Sequence, residues 1–199
     1  GDEDLAEKYG MRDKFNVVYG GNLGIVQDLQ TVIAAAKLLK DTPHIQFVLI
    51  GDGTDEALLK TTVAQEHIDN VRFIPRQPMD RIHQFFALAD VLLIHLKRDP
   101  LFELQIPSKT MAYLACGRPI LCAVPGSAED VVLEAGAGVS CPPQDPVAMA
   151  QRVRDLHALP GAAREAMGER GRQAYLAKYT RAIQIDRIAG ILSRVTKST

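Results

Sequence analysis

Residues 93–119 read LIHLKRDPLFELQIPSKTMAYLACGRP, and the rest of the chain is organised around that stretch. An apolar run over 89–94 predicts a strand. It opens into a polar loop bearing Lys97, Arg98, Asp99 and Glu103, and order returns at Ile106, Pro107, Ser108, Lys109 and Thr110. A proline suits the first turn of a helix, because its fixed φ is helical and its missing N–H would have had no acceptor there. Ser108 and Thr110 offer capping hydroxyls, and the amides that follow are donors facing the loop. Such a helix end attracts an anion, and Lys109 adds a mobile positive charge to it. The combination suits a ligand that is part phosphate and part polyol. A capped helix beside a solvated loop accounts for the same residues equally well, so the surrounding chain has to decide.

Upstream, FNVVY at 15–19 reads as a strand, followed by the loop Gly20, Gly21, Asn22, Leu23, Gly24 and a helical pattern over 26–40. IQFVLI at 45–50 is a second strand closed by Gly51, Asp52 and Gly53, with a helix over 55–66. A short strand at 71–74 ends at Pro75, and a helix over 79–87 leads into the strand of the opening stretch. Downstream, a strand at 119–124, a helix at 128–134, a short strand at 139–141 and a helix at 146–159 continue the alternation. Two helical segments, 162–178 and 181–195, close the chain without returning to strand. Near-continuous apolar strands separated by helices predict an α/β doubly wound parallel sheet, covered on both faces. The expected layout is an N-terminal extension over 1–14, a Rossmann-like domain over 15–161 and C-terminal helices over 162–199. Ligand chemistry is expected where the strands end.

The composition is that of a globular protein, with 199 residues, 47% hydrophobic, 24% charged and a net charge of −1. That balance gives no electrostatic reason to expect nucleic acid as a partner, so any anion site must be local. Cys116, Cys122 and Cys141 form no CxxC pair, and buried reduced thiols are expected. No apolar run approaches membrane-spanning length and no signal peptide precedes the acidic start, so a cytoplasmic location is the default. The five histidines lack metal-ligand spacing, and no metal site is expected. His95, at a strand end, reads as a loop histidine with its hydrogen bonds satisfied.

GGNLG at 20–24 resembles a dinucleotide fingerprint, with Asp52 where such proteins bind ribose, which raises an NAD-dependent oxidoreductase as one reading. The glycines are out of GxGxxG register, and Leu23 and Ile25 are bulky for a close pyrophosphate. These glycines are better explained as places where a neighbouring group approaches the backbone.

Taken in order, GGNLG with Gln27, FVLIGDG, VRFIP, LFE with IPSKTMAYLACGRPIL, and GAGVSCPPQDP resemble the nucleotide-binding C-terminal half of a GT-B glycosyltransferase of family 4. Within that family the likeness is to bacterial enzymes of surface polysaccharide synthesis. The resemblance covers nearly the whole chain. It implies the donor-binding half of a retaining enzyme that takes a sugar from a nucleotide diphosphate sugar, UDP being the expected nucleotide, and no cofactor. The acceptor would be a glycan or a lipid-linked molecule, and an N-terminal GT-B domain of the same protein would face this one. Peripheral association of the full-length enzyme with the inner face of the membrane fits that picture. By the same resemblance, Ile74 and Arg76 would meet the base and Gly21, Asn22 and Gln27 the donor phosphates. Pro107, Ser108, Lys109 and Thr110 would hold the diphosphate, while Glu103 faces the sugar, leaving Glu103 and Lys109 as the catalytic pair. Three positions depart from the family pattern. Ala112 stands where a ribose-binding glutamate is usual, and Asn22 and Gln27 replace an arginine and a lysine. They leave open a catalytically degenerate interaction module.

Overall fold

The computed structural model of the chain describes residues 2–180 together with 182, 183 and 185. Its centre is a six-stranded parallel sheet: β1 (Phe15–Gly20), β2 (Ile45–Ile50), β3 (Val71–Ile74), β4 (Val91–His95), β5 (Ile120–Ala123) and β6 (Gly138–Ser140). The strands lie in the order β3-β2-β1-β4-β5-β6. The helices are α1 (Asp2–Lys8), α2 (Leu29–Lys37), α3 (Glu56–Gln65), α4 (Ile82–Ala87), α5 (Pro100–Glu103), α6 (Ser108–Cys116), α7 (Ser127–Glu134), α8 (Pro146–Ala158) and α9 (Gly161–Lys178).

Every residue of β1, β2, β4 and β5 is buried, which is why those strands read as unbroken apolar runs. Alternate residues feed opposite faces of the sheet. Val17, Tyr19, Phe47, Leu49, Leu93 and Leu121 join one core with residues of α2 and α8. Val18, Val48, Ile50, Leu92, Ile94 and Cys122 join the other with Phe85, Tyr113 and Val132 of α4, α6 and α7. Residues expected to form an N-terminal extension contribute to that second core through Leu5, Ala6 and Met11. Cys122 and Cys141 are buried free thiols and Cys116 is half-buried. Burial raises both buried thiols to about 12, so they pack as small apolar groups.

The helix expected over 26–40 is shorter than its apolar pattern. Ile25–Gln27 form a single 3-10 turn, Asp28 adopts a left-handed φ of 44°, and α2 begins only at Leu29. The loop expected between Leu96 and Ile106 contains the one-turn α5, started by Pro100 and by the Asp99 carboxylate, which accepts from the Leu101 N–H at 3.0 Å. The helix expected over 79–87 is confined to α4. The helix expected over 181–195 lies almost wholly outside the described residues. None of the described helices is long and apolar enough to cross a membrane.

The order of strands reverses between β1 and β4, so the loops that leave them diverge and open a crevice at the carboxyl ends of the sheet.

Candidate functional site

A cleft of about 630 Å³ occupies that crevice. One wall is the loop after β1, with Gly20, Gly21, Asn22 and Gln27. The second comes from Gly51, Asp52, Arg76, Gln77 and Met79 after β2 and β3, with Ile82 and Phe86 of α4 behind them. The third is the start of α6, with Ser108, Lys109 and Ala112.

Several constraints hold this shape. The Gly21 N–H donates to Ile50 O at 2.9 Å, Leu23 N–H to Asp52 O at 2.7 Å and Asp55 N–H to Leu23 O at 2.9 Å, so the two glycine loops are laced together. A Cβ on Gly20 would lie 2.6 Å from the Phe86 ring, which meets Tyr113 edge-to-face at 5.1 Å. The glycines therefore permit close approach of neighbouring groups, as expected. Leu23 turns into the core and Ile25 faces solvent, so neither obstructs the cleft, contrary to the sequence expectation.

Tyr113 ties α6 to β1. Its buried hydroxyl accepts from the Gly20 N–H at 2.9 Å. Removing it in Tyr113→Phe leaves that amide without a partner, and a stability loss of about 1–2 kcal/mol is expected in chemical denaturation.

Lys109 is not the mobile surface charge that the sequence suggests. Its Nζ lies 3.8 Å from the centroid of the Tyr19 ring and beside Gly21, where a Cβ would be 3.0 Å away. Among the described residues it has no carboxylate or carbonyl partner. Desolvation alone lowers its pKa from the ordinary lysine value of 10.5 to about 7. Among the described residues the Ser108 and Lys109 N–H groups likewise have no acceptor, whereas Thr110 N–H donates to Pro107 O at 2.9 Å. Expected side-chain caps are absent here: Pro107 itself is the cap, Ser108 is exposed, and the buried Thr110 Oγ1 has no hydrogen-bond partner. Two free amides and an unpaired amine thus converge on the cleft, an arrangement that favours a bound anion.

Of the other residues expected at the site, Gly21, Asn22, Gln27 and Arg76 line the cleft with Ser108 and Lys109. The Asn22 side-chain amide donates to Gln27 Oε1 at 3.2 Å. Arg76 pairs with Asp52 at 3.5 Å, both side chains more than half exposed, so the pair is weak and either partner is free to turn toward a ligand. Ile74 is buried, and its carbonyl accepts from the Gly51 N–H at 3.0 Å. Ile74, Pro107 and Thr110 do not line the cleft. Glu103 is exposed at the end of α5 and lines a second depression of about 380 Å³ with Arg98, Pro125, Glu129, Ser140, Cys141, Pro142 and Pro143.

Sequence reasoning missed Gln77, Met79, Ile82 and Phe86 as cleft residues. The available signal was the i, i+4 spacing of Ile82 and Phe86, which puts both on one face of α4.

His95 is fully buried, with both ring nitrogens engaged as expected. Nδ1 lies 2.8 Å from Gln27 O, and the Gln144 N–H donates to Nε2 at 3.1 Å. The amide can only donate, so Nε2 carries no proton and Nδ1 must hold the single one, giving it to the carbonyl. Burial holds the imidazole pKa below its usual value. Among the described residues, no cluster of three or more His, Cys, Asp or Glu side chains is placed to hold a metal ion.

Residues 2–174 match the family described as glycosyl transferases group 1. Over 138 residues the chain is 31% identical to the probable glycosyltransferase WbjE of Pseudomonas aeruginosa, a match covering 68% of this chain and 34% of that protein. It is 35% identical over 101 residues to the putative colanic acid biosynthesis glycosyl transferase WcaI of Escherichia coli K12, covering 51% of this chain and 24% of that protein. The matched segment therefore spans about a third or less of each of these relatives. Among solved structures, Anabaena HepE in complex with UDP and glucose superposes with a TM-score of 0.82 at 17% identity, over 96% of this chain and 51% of that one. The C-terminal domain of the group 1 glycosyl transferase LpcC from Francisella tularensis gives 0.72 at 17% identity, over 91% of this chain and 94% of that domain. The fold is thus the Rossmann-like C-terminal half of a GT-B protein.

Proposed function

The chain belongs to the glycosyl transferases group 1 family, and from that premise we propose that it is the donor-binding half of a retaining transferase using a UDP-sugar. The observation that carries the reading is the convergence of the Lys109 amine and the free Ser108 and Lys109 amides on one cleft at the switch point of the sheet. When the bond between the sugar and the diphosphate breaks, its electron pair stays on the phosphate oxygen. Donors already fixed at that point stabilise the charge as it develops. Asn22 and Gln27 add neutral hydrogen bonds, each weaker than those of the cations usual in the family. Arg76 meets the base, and the Glu103 carboxylate, at the mouth of the second depression, takes the sugar hydroxyls.

The name of WcaI supports a role in polysaccharide assembly, and the UDP bound in HepE supports a donor of this class. The acceptor is a glycan or a lipid-linked molecule, held by an N-terminal half that faces the cleft in the cytoplasm. Calorimetry of this chain with UDP, and with ADP as control, tests the reading. Binding of UDP in the micromolar to millimolar range is expected. Absence of heat with either nucleotide at millimolar concentration would remove the donor-site assignment.

A further inference from the structure

We propose that His95 is a positioning residue that couples the diphosphate cleft to the depression containing Glu103, through two hydrogen bonds of opposite sense from one neutral imidazole. The proposal rests on the reading of the cleft given above.

Three loops meet at this ring. Nδ1–H donates to the Gln27 carbonyl, at the end of the 3-10 turn whose side chain lines the cleft. Nε2 accepts from the Gln144 N–H, and Gln144 Oε1 in turn accepts from the Arg98 N–H at 2.9 Å. Arg98 stands with Glu103 on the second depression. A separate bond, from Lys97 N–H to Val26 O at 2.8 Å, runs parallel to this relay. Gln144 is held at a left-handed φ of 58°, a conformation that costs a non-glycine residue energy and that its bonds to His95 and Arg98 help to maintain.

The relay has a defined direction of protons. If Nε2 were protonated it would face the Gln144 N–H donor to donor, and the bond would be lost. Only the Nδ1–H tautomer serves both neighbours, so one residue sets the wall of the diphosphate cleft and the wall of the Glu103 depression in register. An asparagine at position 95 can still donate to the Gln27 carbonyl from its amide but does not extend to Gln144. It therefore cuts the relay at one point without removing the nearer bond.

Amide hydrogen exchange of the chain, with and without saturating UDP, reads the coupling directly, because Arg98 and Gln144 supply the two backbone amides that donate in the relay. In the wild-type chain UDP is expected to slow exchange at Gln27 and also at Arg98 and Gln144, by at least about fivefold, the lower end of ordinary coupling between sites. In His95→Asn, and in His95→Ala if it folds, UDP should still protect Gln27 while Arg98 and Gln144 lose the effect. A role confined to stability would raise exchange across the sheet equally with and without UDP. Unchanged UDP-dependent protection of Arg98 and Gln144 in His95→Asn, or none in the wild type that binds UDP, overturns the proposal. Failure of the wild type to bind UDP at all overturns the donor-site reading as well.

Discussion

Replacing Lys109 by methionine is expected to weaken UDP binding about a hundredfold, since a charge-assisted contact to a buried anion contributes about 3 kcal/mol. Methionine keeps an unbranched stem over the Tyr19 ring and removes only the amine, so the folded chain should survive. Among the described residues this amine has an aromatic face 3.8 Å below it and no anionic partner, and desolvation brings its pKa to about 7. A diphosphate placed against it favours the ammonium, so binding above neutral pH must take up a proton. Affinity for UDP should therefore fall as pH rises from about 7 toward 10 in the wild type. The dependence should vanish in Lys109→Met. Calorimetry in buffers of different ionisation enthalpy measures the uptake. Equal affinities for wild type and Lys109→Met would contradict the assignment.

The same group makes an opposite contribution to the free protein. Between about 7 and 10.5 the unfolded chain holds a proton that the folded chain has released, so unligated stability rises with pH across that window. His95 acts in the same direction at lower pH. Its folded pKa is depressed, so its contribution to stability is present above the usual histidine range and is lost as pH falls through and below it. Denaturation midpoints of the free chain should thus rise with alkalinity while UDP affinity falls, two trends that separate ligand binding from general stability.

How much of this could be read in the residues depends on the range of the interaction involved. The strands were legible because burial on both faces leaves a local mark, an unbroken apolar run such as IQFVLI. The cleft's glycines and the start of α6 were legible from their type and position. The true start of α2 was not, because Asp28 adopts φ 44° within a segment whose apolar periodicity continues across it. Asp99 followed by Pro100 did carry a local signal for α5, an N-cap acid before a first-turn proline. The contribution of α4 to the cleft left only the i, i+4 spacing of Ile82 and Phe86 as a local mark, because its placement depends on Phe86 crossing over Gly20, sixty-odd residues away in sequence. Lys109 was misread for a related reason. A lysine at a helix start looks solvated until the Tyr19 ring and Gly21 backbone are brought against it.

Gly51→Ala should be the most damaging single-methyl change at the site, with an expected loss on the order of 4 kcal/mol from backbone strain and steric overlap. Gly51 has φ +152°, outside the range that side-chain-bearing residues adopt, and a Cβ there would sit 1.8 Å from the Gly21 carbonyl oxygen. The clash is backbone against backbone, so no rotamer change relieves it. Gly51 N–H also donates to Ile74 O, and Gly21 N–H to Ile50 O, so a shift of either loop breaks a ladder bond at the edge of the cleft. The variant should lower the denaturation midpoint sharply and abolish UDP binding together, whereas Lys109→Met should weaken binding alone. Gly161→Ala is the matched control. It opens α9 with no atom within 4 Å of the added methyl and should leave both properties near wild type. A Gly51→Ala chain as stable as Gly161→Ala would mean that the lacing between the two glycine loops does not hold the cleft in shape.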